Sequence, residues 1–272
     1  MWKVIFLCVV VIGLFTSGMT PVFSDSHWDR FYPPVAVRPP QAQEGQLDLR
    51  GWDFARDGLI GLSGEWEFYW QKLLGPDAFA KDQLPSMTKF IEIPAHFSGD
   101  GYATYRLRIV LDQPLQGPMA FKMPEFETAY ALYVNGRLIG ENGVVGRTPA
   151  AMRPQWLPKV VDFSTEREQV EVILQISNFY HKKGGAGQLI YFGPESLVRE
   201  AREKALSYEL FLFGNLFVMG LYHIALFALR SQDKSPLYFG ASCLLVALRI
   251  LVTGEHCLVG WFPNMPWRLV VQ

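Results

Sequence analysis

Residues 210–229, Leu-Phe-Leu-Phe-Gly-Asn-Leu-Phe-Val-Met-Gly-Leu-Tyr-His-Ile-Ala-Leu-Phe-Ala-Leu, are followed at 237–252 by Leu-Tyr-Phe-Gly-Ala-Ser-Cys-Leu-Leu-Val-Ala-Leu-Arg-Ile-Leu-Val. Only the polar linker Arg230-Ser231-Gln232-Asp233-Lys234-Ser235-Pro236 separates them. A helix needs about 20 mostly apolar residues to cross the hydrocarbon core, and the first stretch supplies them. In a helix its backbone polar groups pair internally, as a lipid environment demands. The second stretch is shorter and carries Arg249. The pattern predicts a membrane hairpin, with spans at 206–229 and 237–253.

The first residues have the order of a secretory leader. Lys3 precedes the apolar run Val4–Phe15, and Val22-Phe23-Ser24 stands before Asp25. That charged, apolar and small-residue sequence predicts a signal peptide over 1–24, with an uncleaved anchor as the alternative. The leader places the domain behind it outside the cell (inner) membrane. The first span then runs inward, and the 230–236 linker is cytoplasmic. Arg230 and Lys234 agree with the positive-inside tendency, whereas Arg199, Arg202 and Lys204 do not. Long domains translocate largely regardless of their charge, so the leader decides.

Between the leader and the hairpin, the chain reads as β-structure. Residues 25–46 are proline-rich and are expected to be a linker or lead-in strand. From 47 to 195, period-two stripes dominate. Trp66, Phe68 and Trp70 share one strand face, and Tyr105, Leu107 and Ile109 another. Ala129–Val134, Asn135-Gly136 and Arg137–Ile139 form a hairpin pattern, since Asn-Gly favours the positive backbone angles of a type I′ turn. Val170–Ile176 has the apolar continuity of a strand buried on both faces at its centre. A short stretch near Tyr69–Leu74 has helical spacing. Many short strands with turns between them predict an all-β antiparallel sandwich, followed by transmembrane α-helices.

Three motifs in order carry a resemblance. Leu62-Ser63-Gly64-Glu65-Trp66-Glu67-Phe68, Gly101-Tyr102-Ala103-Thr104-Tyr105-Arg106 and Ala131-Leu132-Tyr133-Val134-Asn135-Gly136 resemble strands of the non-catalytic, galactose-binding-like jelly roll of β-galactosidase-type glycosidases. Ile176-Ser177-Asn178-Phe179-Tyr180-His181-Lys182-Lys183-Gly184-Gly185 resembles the end of a related ectodomain. Ala247–His256 with Trp261-Phe262-Pro263-Asn264-Met265-Pro266-Trp267 resembles the start of a membrane domain. The family resembled in both stretches is that of the bacterial seven-transmembrane receptors with diverse intracellular signalling modules. The resemblance implies a jelly-roll sensor, further spans and a cytoplasmic output. An outer loop is expected over 254–268. A third span begins at 269–272, so the chain reads as truncated before its output domain.

Composition excludes several classes. A net charge of −1 gives no electrostatic case for nucleic acid. The three cysteines are Cys8, Cys243 and Cys257, so residues 25–242 carry neither a disulfide framework nor a cysteine metal site. No cofactor motif, Walker loop, nucleophile elbow or zinc helix is present. Glu125 and Glu127 have the carboxyl chemistry of a glycosidase pair, but the resembled jelly roll is not the catalytic domain of those enzymes. No enzyme is expected. Lys182-Lys183-Gly184-Gly185 reads as a flexible loop.

Ligand candidates are aromatic faces beside planar polar groups, the chemistry that sugar binding needs. Arg153 with Trp156, and Asn178 with Tyr180 and His181, fit it. Each has a structural alternative, with Trp156 covering a sheet and Asn178 capping a strand end. In the spans, Asn215 and His223 are expected to pair with neighbouring helices, and Arg249 to snorkel outward. The expected partners are an extracytoplasmic carbohydrate or small molecule and membrane lipid, with a homo-oligomer left open. The expected role is a sensing receptor; the alternative is a membrane-anchored carbohydrate-binding module without signalling.

Overall fold

The computed structural model describes residues 39–252 apart from 82 and 127. The leader at 1–24, the outer loop at 254–268 and the third-span start at 269–272 lie outside those residues, as does most of the lead-in. The chain divides into two compact units, a sandwich and a helical unit, and passes from the first to the second between Ala201 and Arg202.

The sandwich has two main sheets. The larger contains β1 (Gln46–Asp48), β3 (Gly64–Trp70), β4 (Lys89–Ile93), β6 (Gly101–Val110), β8 (Ala129–Val134), β9 (Arg137–Asn142) and β11 (Gln169–Asn178). Its order is β4-β3-β6-β11-β8-β9, with β1 parallel to β6. The smaller contains β2 (Ile60–Gly61), β7 (Met119–Met123), β10 (Lys159–Phe163) and β13 (Tyr191–Pro194), in the order β10-β7-β13-β2. From β6 onward the chain crosses repeatedly between the sheets, apart from the β8–β9 hairpin within the larger one. Two short helices, α1 (Phe54–Asp57) and α2 (Pro76–Phe79), interrupt it. The sandwich begins before Leu47, because Ala42 bridges Gly64 and is buried. Gly64 has φ 103°, and a Cβ there would run into the Ala42 backbone. Only glycine lets the two segments meet this closely.

The core is where the period-two stripes place it. Trp66, Phe68, Tyr105, Leu107, Ile109, Leu132, Val172 and Leu174 are buried from the larger sheet, facing Phe121, Val161 and Phe192 from the smaller. Phe121 stacks on Phe163 and on Phe192, each at 5.0 Å between ring centres. At about 0.8 kcal/mol per buried methylene, this apolar layer dominates folding. Asn135 and Gly136 turn with φ 48° and 86°, as the Asn-Gly pair requires.

The opposite face of the larger sheet is also covered. Glu67 and Arg106 lie on it, yet are 8% and 9% exposed. Arg106 donates to Glu171 at 2.8 Å and to Glu67 at 3.2 Å, and its guanidinium stands 4.6 Å from the centre of the Phe79 ring. Tyr69 donates to Glu67 at 2.8 Å. Burial alone would lower the Arg106 pKa, but Glu171 and Glu67 outweigh it and hold it up. Burial first, and the Glu67 acceptor second, push the Tyr69 hydroxyl up. The expected helical stretch near Tyr69–Leu74 is instead the end of β3 and a loop; the helix lies at α2. Tyr69 alternates with Trp70 on a two-faced buried strand, which mimics a helical spacing.

The helical unit holds α3 (Glu195–Leu229) from Arg202 onward and α4 (Ser235–Val252). In this unit Gly220 and Gly240 let the two helices approach, for a Cβ at Gly240 would come within 2.8 Å of the Gly220 carbonyl. Cys243, Ala247 and Leu251 continue the buried seam of α4. His223 packs 4.5 Å from Phe239 and places Nδ1 2.9 Å from the Met219 carbonyl. Asn215 donates to the Phe211 carbonyl within its own helix. Such i−4 bonding spares a polar side chain an unpaired donor in an apolar setting.

Candidate functional site

The expected ligand residues gather at one end of the sandwich, at the C-terminal end of β11. Asn178 is fully buried. Its amide donates to the His181 carbonyl at 2.6 Å and to the Gly99 carbonyl at 3.3 Å. Its oxygen accepts from the His181 and Tyr180 backbone N–H groups at 3.0 and 3.3 Å. Both amide hydrogens are therefore spent on two loops. Asn178 organises the turn that presents Tyr180 and His181. It is the strand-end cap weighed as its structural alternative.

Trp156 and His181 meet edge to face with ring centres 6.0 Å apart. Tyr180 is exposed and donates to the Pro149 carbonyl at 3.1 Å, which ties the 178–181 turn to the 144–153 loop. Val144 and Arg153 exchange backbone hydrogen bonds at 2.8 and 3.0 Å, closing that loop. The Arg153 side chain is exposed and has no hydrogen-bond or ion-pair partner among the described residues. Trp156, Tyr180 and His181 are thus brought together, with Asn178 beneath them. Arg153 joins through its backbone, leaving its guanidinium free. Nearby, β12 (Lys183–Gly184) pairs with β5 (Phe97–Ser98) as a two-strand ribbon. The expected flexible loop is pinned, because Gly184 allows the close approach of the Phe97 ring that a side chain would block.

Removing the Asn178 amide should show its role. Asn178→Ala is expected to lose about 2 kcal/mol of stability, since buried groups on both loops lose their partners. Urea denaturation of the full chain followed by far-UV circular dichroism measures it. A change below about 0.5 kcal/mol would mean that the turn holds itself.

Two grooves of the sandwich lie at the other end of β11, about 30 Å away at roughly 3.3 Å per residue. One, of about 590 Å³, is lined by Arg106, Arg108, Asn135, Glu166, Arg167 and Glu168 among others. A second, of about 390 Å³, is lined by Asn135, Arg137, Asp162, Phe163, Thr165 and Arg167 among others. No single motif marks these residues together, since they come from β6, β9, β10, β11 and the turns beside them. The one available signal is the dense charge of Thr165-Glu166-Arg167-Glu168 between two strands. Among the described residues, no group of three or more His, Cys, Asp or Glu side chains is placed to hold a metal.

Both long helices are long and apolar enough to cross a membrane. The helix α3 begins at Glu195, directly after β13 ends at Pro194. Residues 206–271 match the family described as 7TM diverse intracellular signalling. That family is one of membrane signalling receptors. The matched segment covers α4, the part of α3 from residue 206 and the residues beyond them. This protein is therefore a membrane protein with transmembrane helices, carrying a β-sandwich ahead of the segment that matches that family.

No curated protein matches the chain significantly. Among solved structures, the chain is similar to a β-glucuronidase of Parabacteroides merdae, at 12% identity and a TM-score of 0.39, over 50% of this chain and 22% of that one. It is also similar to a β-glucuronidase of Ruminococcus gnavus, at 14% identity and a TM-score of 0.37, over 49% and 28%. A β-glucuronidase of an uncultured Clostridium species gives 12%, 0.36, 50% and 29%. The chain thus spans less than a third of the length of these enzymes.

Proposed function

We propose that the sandwich is the extracytoplasmic sensing domain of a membrane signalling receptor of the 7TM diverse intracellular signalling family. It binds a carbohydrate or related small molecule and is not itself catalytic. The observation that carries this reading is the direct passage from β13 at Pro194 to α3 at Glu195, the helix that enters the family-matched segment. No loop intervenes, so a change at the base of the sandwich acts on the first turn of that helix. A ligand shifts such an arrangement only by its differential affinity for two states.

The ligand surface proposed is the Trp156–His181 pair with Tyr180 and Arg153. An indole edge, a phenol and an unpaired guanidinium supply stacking area and planar donors together. Membrane lipid surrounds the helices, and a second copy of the chain is compatible with their exposed apolar faces.

A glycan and small-molecule array probed with the full chain in detergent micelles tests the reading. Binding that weakens about tenfold or more in Trp156→Ala, with unchanged thermal stability, is the expected result. A blank array would remove the carbohydrate assignment.

A further inference from the structure

We propose that the two grooves beside Asn135 form a second ligand site, built for a sugar acid. The proposal rests on reading the sandwich as a ligand-binding domain, but places the carboxylate of the ligand far from Trp156. The grooves share Asn135 and Arg167, so they continue into one another. Each has a volume in the range that small ligands occupy.

Their chemistry divides. In the smaller groove Arg137 and Arg167 are exposed, and neither guanidinium has a hydrogen-bond or ion-pair partner among the described residues. The acid of that groove, Asp162, is already matched by Arg199. Two uncommitted guanidiniums therefore face the smaller groove, an arrangement that suits a carboxylate through bidentate charged hydrogen bonds.

The larger groove is mixed. Glu166 and Glu168 are exposed carboxylates without partners among the described residues, and they suit hydroxyl donors. Arg106 is fully engaged by Glu67 and Glu171, so its role there is a fixed wall. Arg108 keeps one hydrogen bond to Glu67, at 3.3 Å, while its buried Nε has no partner. A ligand with a carboxylate at one end and hydroxyls along its length fits both halves. A neutral sugar leaves the two arginines unused.

The walls are held in place. Asn135 donates to Thr165 at 3.0 Å and accepts from the Glu171 backbone at 2.9 Å, and Thr165 also accepts from the Arg167 backbone at 3.2 Å. The same wall reaches the helix. Asp162 pairs with Arg199, which also binds Glu195 at 2.5 Å on the first turn of α3. Occupation of the smaller groove thus bears on the segment that leads into the membrane helix.

Isothermal titration of the full chain in detergent micelles, with D-galacturonate and with D-galactose, tests the proposal. Galacturonate is expected to bind, and more weakly as salt rises. Arg137→Ala/Arg167→Ala is expected to weaken it at least about tenfold, as for lost charged hydrogen bonds, and to leave any galactose binding unchanged. Both side chains are exposed, so the double variant should melt like the parent. Absence of galacturonate binding would overturn the proposal. So would binding equal to that of acetate, or binding lost in Trp156→Ala but kept in the double variant. In that last case the sensing domain still stands with its site at Trp156, whereas a blank glycan array removes the carbohydrate reading itself.

Discussion

Trp66→Ala is expected to cost about 4 kcal/mol, the range for an aromatic cut back to alanine in a packed core. Trp66 is 1% exposed and sits among Phe68, Leu107 and the other buried residues of both sheets. The close packing of the sandwich lets little of the void collapse. Trp66→Phe should cost far less, about 1 kcal/mol, because most of the aromatic volume stays in place. The indole N–H has no hydrogen-bond partner among the described residues, so its removal relieves a buried donor while the ring stays. Urea denaturation of the two variants against the parent measures the difference. Equal losses for Phe and Ala would mean that the indole N–H has a partner that matters.

The second large effect is at Arg106. Arg106→Ala should lose about 3–5 kcal/mol, the usual result of leaving a buried charge alone. Glu67 would remain at 8% exposure with the Tyr69 hydroxyl and the more distant Arg108 as its donors. The Phe79 ring would also lose the guanidinium stacked 4.6 Å away. Replacing both charges, as Arg106→Met with Glu67→Gln, should recover much of the loss, because the cost arises from the orphaned carboxylate rather than the missing pair. A double-mutant cycle in urea isolates this coupling. Additive losses would contradict it.

These two residues also show what the chain discloses by itself. The stripes Trp66/Phe68/Trp70 and Tyr105/Leu107/Ile109 are legible because a strand exposes alternate residues to one face. Their apolar members could only face inward. The Asn-Gly turn and the two apolar helices are legible for equally local reasons, in positive φ and in length. Glu67 and Arg106 are not. By alternation they belong on a solvent face, and only Glu171, arriving from a distant strand, and Phe79, arriving on a short helix, make that face a second interior.

The site divides in the same way. Trp156, Tyr180 and His181 stand out by residue type, and the fold does collect them. Asn178 stands out by type as well, but its amide is spent on the Gly99 and His181 carbonyls, a fact that depends on where a distant loop lies. Beyond the Asn135-Gly136 turn, the grooves at Arg137 and Asp162–Glu171 have no such signature. Their charges look like ordinary solvated loops until three segments converge.

The proposed sensor requires the sandwich to lie outside the membrane. Its most direct test is sidedness. A single cysteine placed at Lys182→Cys on the sandwich or at Ser231→Cys in the linker, both exposed positions, is labelled in intact cells with a membrane-impermeant thiol reagent, the three native cysteines having been replaced. The account predicts labelling at 182 without permeabilisation and at 231 only after it. The reverse pattern would place the sandwich in the cytoplasm and contradict an extracytoplasmic sensor.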